Sequence, residues 1–388
     1  MKIAGIIAEY NPFHNGHAHH VAETRRRTGC DYVVACMDGH FSQRGEAALW
    51  SKWARARMAL ACGVDAVFEL PALFAVRAAD AFARGGVAIL AGVGCDALSF
   101  GCETGDMDLL NALADLGERE PEAVSRSIRE KLDAGMSHAR ARGEAVGEYL
   151  GVAPEAVNRP NLALACEYMR AIRAGGYALR PVAVPRVGDY HDARLGRFAS
   201  ATAIRGAIER GDPDGALAAM PEPARPFAAP EALHPMDDLL LAALRNMDES
   251  ALGRLPDVGE GLEHRLHRLC RVAPGREALL EALKCKRYTR ARLSRLLTHA
   301  LLGMDRALTE AVPAPRYARL LGARAGAEPL LRELNARATL LIASGTAALR
   351  GDPCFELECR ATDTWALLHD DPALRAAGRE FTERFVRI

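Results

Sequence analysis

Apolar positions run unbroken over residues 3–8 and then switch to a 3.6-residue spacing over 17–27. That switch recurs along the first hundred residues. Apolar runs at 32–37, 66–70 and 97–100 predict strands, and helical spacing at 53–62 and 79–90 predicts the helices between them. Strands that are apolar throughout, instead of alternately polar, are buried on both faces. The pattern therefore predicts a doubly wound parallel α/β sheet with helices on either side. Residues 109–142 predict a charged helical excursion over the sheet, 161–173 a further helix and 178–184 a returning strand. Gly211-Asp212-Pro213-Asp214-Gly215 predicts a break in the chain.

Residues 221–230 carry four prolines and predict a linker. Beyond it the spacing is helical at 236–247, 262–272, 276–283, 290–302 and 327–341, with few strand signals. The expected organisation is an α/β domain over 1–220, the linker over 221–230, and a mostly α-helical domain over 231–388. A length of 388 residues fits two domains.

Composition narrows the function classes. No apolar stretch approaches the ~18–20 residues of a membrane span. The first strand runs at once into Glu9 and an Asn-Pro-Phe-His turn and not into an export signal, so a cytoplasmic location is expected. The ten cysteines contain no Cys-x-x-Cys pair, which predicts reduced, mostly buried thiols. Cys36 and Cys102, near strand ends, have nothing beside them in sequence that would lower a thiol pKa and make an acyl carrier. Net charge is zero, with 50 basic and 50 acidic residues, so any nucleic-acid affinity must come from uneven placement. Residues 261–300 supply it. Arg265, Arg268, Arg271, Arg276, Lys284, Lys286, Arg287, Arg290, Arg292 and Arg295 stand against Glu263, Glu277 and Glu281, ten charges against three. Tyr288 lies inside this stripe, which suits RNA phosphates with an aromatic to stack on an unpaired base. An ordinary solvated helix face would look the same.

The strongest chemical signal is Glu9-Tyr10-Asn11-Pro12-Phe13-His14-Asn15-Gly16-His17, directly after the first strand. Two imidazoles three residues apart open a helix, where free N–H groups and the dipole suit phosphate. They can donate to a phosphoryl oxygen as its charge grows. His19 and His20 follow, so a zinc site with Glu9 is an alternative, but the strand–His-x-Gly-His–helix context favours phosphate and predicts no metal ligand set. Later, Ser200-Ala201-Thr202-Ala203-Ile204-Arg205 offers hydroxyls, N–H groups and a guanidinium at another helix start. By itself that element is equally a Ser cap with a solvated Arg.

Together these elements resemble the His-x-Gly-His and Ser-x-Thr-x-x-Arg signatures of the nucleotidyltransferase superfamily related to class I aminoacyl-tRNA synthetases, a Rossmann-like fold. The likeness narrows through Phe41-Ser42-Gln43-Arg44-Gly45-Glu46, Ser51-Lys52-Trp53-Ala54-Arg55, Phe100-Gly101-Cys102-Glu103, Arg159-Pro160-Asn161, Arg186 with Tyr190-His191-Asp192, and Lys284-Cys285-Lys286-Arg287-Tyr288-Thr289. On these motifs the chain resembles the tRNA(Met) cytidine acetate ligase family over nearly its whole length, weakening after about residue 345. Asp38-Gly39-His40 and the apolar Leu162-Ala163-Leu164-Ala165 depart from the family pattern.

The resemblance implies an ATP-dependent ligase that activates acetate as acetyl-adenylate and acetylates N4 of the wobble cytidine of elongator tRNA(Met). It implies ATP, with Mg2+ expected, and acetate as co-substrate. Ile7, Ala8, Glu9, Tyr10, Asn11, Pro12, Phe13, His14, Asn15, Gly16, His17, Ala18, His19 and His20 would form the ATP loop, with Gly101, Asn161, Arg186, Ser200 and Thr202 completing the site. His14, His17 and Arg205 would be catalytic. Arg44, Lys52, Lys284, Lys286, Arg287, Tyr288 and Arg292 would meet tRNA. Trp53 reads equally well as core. A small-molecule adenylyltransferase would share the His pair without needing the basic stripe. A non-catalytic RNA-binding factor would not need the intact His and Ser/Arg elements.

Overall fold

The computed structural model describes residues 1–186, 196–229, 231, 234–285 and 287–388. Tyr190-His191-Asp192 and Lys286 lie outside these residues. Strands β1 (Ile3–Ala8), β2 (Tyr32–Asp38), β3 (Ala66–Leu70), β4 (Ala97–Cys102) and β5 (Arg180–Pro185) run parallel in the order β5-β4-β1-β2-β3. Their side chains alternate between two apolar layers. Val34, Cys36, Ala66 and Phe68 join one cluster, and Val33, Ala35, Met37 and Val67 the other. Both faces are therefore covered, as the unbroken apolar runs require. Helices α1 (Asn15–Thr28) and α2 (Lys52–Ala61) lie on the second face, and helices Ala79–Gly92 and Pro160–Ala174 on the first. No described helix is long and apolar enough to cross a membrane.

Three differences from the sequence reading matter. The excursion after β4 is three helices, Met107–Glu118, Glu122–Asp133 and His138–Leu150, broken at Pro121 and at Gly135. Residues 222–227 form a 3-10 helix, and Ala224 and Ala228 are buried in the second apolar layer, so this stretch packs instead of spanning a gap. The chain beyond 231 is helical through Arg306–Ala311, around its own apolar cluster, and then returns to the sheet. Strand β6 (Tyr317–Ala323) pairs antiparallel with β3, and β7 (Leu341–Ala343) and β8 (Val386–Arg387) pair with β6. The expected helix over 327–341 stops at Arg337 and gives way to β7.

Order reverses between β1 and β4. A doubly wound sheet opens a crevice at the carboxyl ends of its strands at such a point, and the His motif follows β1 there.

Candidate active site

His14 is the N-cap of α1. Its Nδ1 accepts from the Gly16 amide at 3.1 Å, and its own amide donates to His17 Nδ1 at 3.2 Å. This is a capping box built from two imidazoles. Because both Nδ1 atoms accept, both rings carry their proton on Nε2, and the Nε2–H groups are the donors left for a ligand. The rings stack at 3.7 Å, with Tyr10 and Phe13 packed on His17 at 4.8 and 5.5 Å. Gly16 is required by this arrangement: a β-carbon there would lie 2.9 Å from the His14 ring. Tyr10, buried, holds a left-handed φ of 49°, the kind of strained backbone that surrounding packing must fix.

Burial, aided by the nearby Arg186 and Arg205, lowers the His14 pKa to about 3. Burial and then His14, Arg186 and His20 push His17 well below its ordinary value. Both are neutral at pH 7, hydrogen-bond donors without net charge. His20 is lowered to about 4, chiefly by burial, and its Nε2 meets Ser99 Oγ at 3.0 Å, anchoring α1 to β4.

A concave pocket opens on these rings. His14, Gly16, His17, His19, His20 and Gly101 form one side, and Val184, Pro185, Arg186, Phe198, Ala199 and Ser200 the other. Glu103 supports it from behind. It accepts from the Asn161 amide, from Asn161 Nδ2 at 2.7 Å and from the Leu162 amide at 2.8 Å, and Arg186 reaches Asn161 Oδ1 at 3.4 Å. Ser200 also caps helix Ala201–Glu209 through the Ala203 amide.

A family model described as HIGH Nucleotidyl Transferase matches residues 1–380. A tRNA(Met) cytidine acetate ligase of Acetivibrio thermocellus is 34% identical with all of both chains covered. That of Bacillus subtilis is 37% identical over 96% of this chain and 94% of its own. The chain belongs to the tRNA(Met) cytidine acetate ligase family. A crystal structure of Thermotoga maritima TmcAL bound with alpha-thio ATP superposes with a TM-score of 0.89 at 29% identity, and the apo form with 0.90 at 30%, each over 100% of both chains.

Several of the residues expected to touch ATP do not line this pocket. Ile7, Tyr10 and Phe13 are buried core. Glu9 accepts from the Gln43 amide at 3.1 Å, and Asn11 from the Leu49 amide at 3.0 Å, so both hold the loop after β2. Asn15 Nδ2 donates to the Arg197 and Ala219 carbonyls. Arg205 donates to the Asn11 carbonyl at 2.7 Å and lies 3.9 Å from Glu46, beside the pocket instead of in its wall. Ala8, Pro12, Ala18 and Thr202 are likewise outside the described wall. Phe198 lines the pocket and Glu103 braces it from behind, and the sequence reading assigned neither a role. The signals available were an aromatic two residues before a helix cap and a carboxylate directly after a strand. Burial raises both the Cys36 and Cys102 thiols, so neither is poised as a nucleophile.

The tRNA candidates divide. Lys52 is corrected: it is wholly buried, and its Nζ binds Glu69, Glu380 and, at 3.0 Å, Glu358. Burial opposes the charge, but the three carboxylates outweigh it and raise the pKa. Tyr288 is also corrected. It is buried, its hydroxyl donates to the Gly259 carbonyl at 3.0 Å, and Arg292 covers its ring at 4.7 Å while donating to the Asp257 carbonyl. Burial and the Arg292 guanidinium leave this ring poorly placed to stack on a base. Arg44, Lys284 and Arg287 are exposed, with Lys284 3.7 Å from Glu281 and Arg287 2.6 Å from Glu260. Trp53 is core. Of the two departures from the family pattern, Asp38-Gly39-His40 lies away from the pocket, while Leu162 opens the other behind it, on Glu103. Asp38 pairs with Arg55 at 2.8 Å, and His40 joins the Lys52 cluster.

Proposed function

We propose that this chain forms acetyl-adenylate from acetate and ATP in the His14/His17 pocket and passes the acetyl group to N4 of the wobble cytidine of elongator tRNA(Met). The reading rests on a pair of ε-protonated imidazoles lining a pocket at the β1/β4 switch point, in a chain similar throughout to an ATP-analogue-bound TmcAL.

The chemistry follows from these groups. An acetate oxygen attacks the α-phosphorus and diphosphate leaves. The His14 and His17 Nε2–H groups meet the phosphoryl oxygens as negative charge builds, with the α1 N-terminus behind them. Neutral donors suit this step, since they stabilise developing charge without binding the ground-state triphosphate as an ion pair would. Ser200 in the wall, with Thr202 and Arg205 beside it, is assigned to the leaving diphosphate, and Gly101 and Arg186, with Asn161 behind Arg186, to the nucleoside side. The cytidine amine is a weak nucleophile because its lone pair is delocalised into the ring, so it needs the mixed anhydride. It attacks the acyl carbon, loses a proton, and AMP leaves. The described pocket wall holds no carboxylate, so Mg2+ is expected to arrive coordinated by the triphosphate. A tRNA substrate puts the reaction in the cytoplasm.

The test is purified chain with ATP, labelled acetate and tRNA(Met). Diphosphate release that requires acetate, and N4-acetylcytidine detected by nucleoside mass spectrometry, are expected. A folded chain that gives neither overturns the reading.

A further inference from the structure

Helix Arg290–Leu302 packs on both loops that leave the carboxyl ends of β2 and β3, the same sheet edge as the nucleotide pocket. On the β2 side the Gly45 carbonyl accepts from Thr298 Oγ1 at 2.8 Å and from Arg276 Nη2 at 3.1 Å. Gly45 has a φ of 70°, and a β-carbon there would lie 2.7 Å from the backbone of Ser294 and Arg295. On the β3 side His299 Nε2 donates to the Val76 carbonyl at 2.5 Å. Arg295 sits one turn before His299 on the same helix face, and Arg77 follows Val76. The two arginines therefore meet at one seam.

Neither guanidinium makes a hydrogen bond or an ion pair among the described residues, and Arg295 Nε is buried without a partner. Elsewhere in the basic stripe Arg287 is paired with Glu260 and Arg290 with Glu277. Burial pushes Arg295 below its ordinary value. Asp257 and Asp80 act against this, but Asp80 is committed to Arg84 at 3.0 Å, and Arg292 and Arg77 add to the lowering. Two like charges on one seam, under-neutralised by the described residues, call for an anion from outside.

We infer that Arg77 and Arg295 grip a backbone phosphate of the RNA substrate where it crosses from the helical part of the chain to the sheet edge. This rests on the tRNA-ligase reading and adds two residues and a crossing point to it. The test measures binding of a tRNA(Met) transcript against salt concentration for the full chain and its Arg77→Gln/Arg295→Gln variant. The expected result is a several-fold weaker Kd and a salt slope shallower by about 1, with acetate-dependent diphosphate release in the absence of RNA unchanged. Arg77→Gln alone, on a loop, keeps the test open if the double variant does not fold, and Arg295→Lys is expected to keep the parent slope. A folded variant, double or Arg77→Gln, whose Kd and slope match the parent overturns the inference. Failure of the underlying reading looks different: the parent chain itself would neither bind nor acetylate tRNA(Met).

Discussion

The His14/His17 pocket and the Lys52 cluster lie at the same edge of one sheet, yet only the first has hydrogen-bonding capacity left over. In the cluster every group is met by the chain. Lys52 binds three carboxylates, Arg319 joins Glu69 at 3.1 Å and also Glu380, and Glu358 accepts from the Ala72 amide at 2.7 Å. His40 uses both nitrogens, accepting from the Lys52 amide and meeting Thr362 at 3.1 Å. His40, Glu358 and Glu380 converge in a way that resembles a metal site, but the Lys52 ammonium already supplies the positive charge. In the pocket the described residues occupy Nδ1 of each imidazole and leave Nε2 open. Burial and charge mark both places. Unspent donors distinguish a site from a structural lock.

Breaking the lock should have the largest effect. Lys52→Met leaves three buried carboxylates facing Arg319 alone, and removing one partner of such a network typically costs about 3–5 kcal/mol. Denaturant unfolding should show that loss, and a variant as stable as the parent would contradict the cluster's role. Next comes the pocket. His14→Ala or His17→Ala should lower the rate of acetate-dependent diphosphate release by about 3–4 kcal/mol, the usual loss for one transition-state donor. ATP affinity should change far less, and equal losses in both would reduce the pair to a helix cap. Glu103→Gln removes charge from three hydrogen bonds at Asn161 and Leu162. It should raise KM for ATP, corresponding to roughly 1.5–3 kcal/mol, with little change in kcat.

The pH response sharpens the contrast further. His14, His20 and His299 have folded pKa values of about 3, 4 and 4, below the unfolded value near 6.5. The unfolded chain binds more protons in that window. Stability is therefore full above pH 6.5 and falls as pH drops toward 3–4. The urea midpoint should follow that fall, and a flat profile from 6.5 to 4 would contradict buried neutral imidazoles. The smallest effect is expected at the exposed Arg287–Glu260 pair, where Arg287→Gln should leave the urea midpoint essentially unchanged. Its readout is tRNA binding, with a salt slope shallower by about 1.

Legibility in the sequence followed locality. Strands β1 to β4 and the His motif could be read because their signals are contiguous: an apolar run, then a cap, then helical spacing. Strand β6 could not. Its sequence, Tyr317-Ala318-Arg319-Leu320-Leu321-Gly322-Ala323, becomes a strand by pairing with β3, a case of tertiary context overriding local preference. Lys52 looked like an RNA contact because Glu69 and the distant Glu358 and Glu380 bury it, and no local pattern links them. Tyr288 likewise is claimed by Gly259 and Arg292 only once the helices pack.

That distance has a consequence for biosynthesis. Lys52 must wait for a carboxylate 306 residues further along, and at roughly 5–20 residues per second this is about 15–60 s on the ribosome. Until β6 emerges, β3 also presents a bare edge, the kind that captures stray strands. A nascent chain thus holds the His14/His17 pocket on a sheet whose β3 edge stays open until β6, in the last third of the chain, is made.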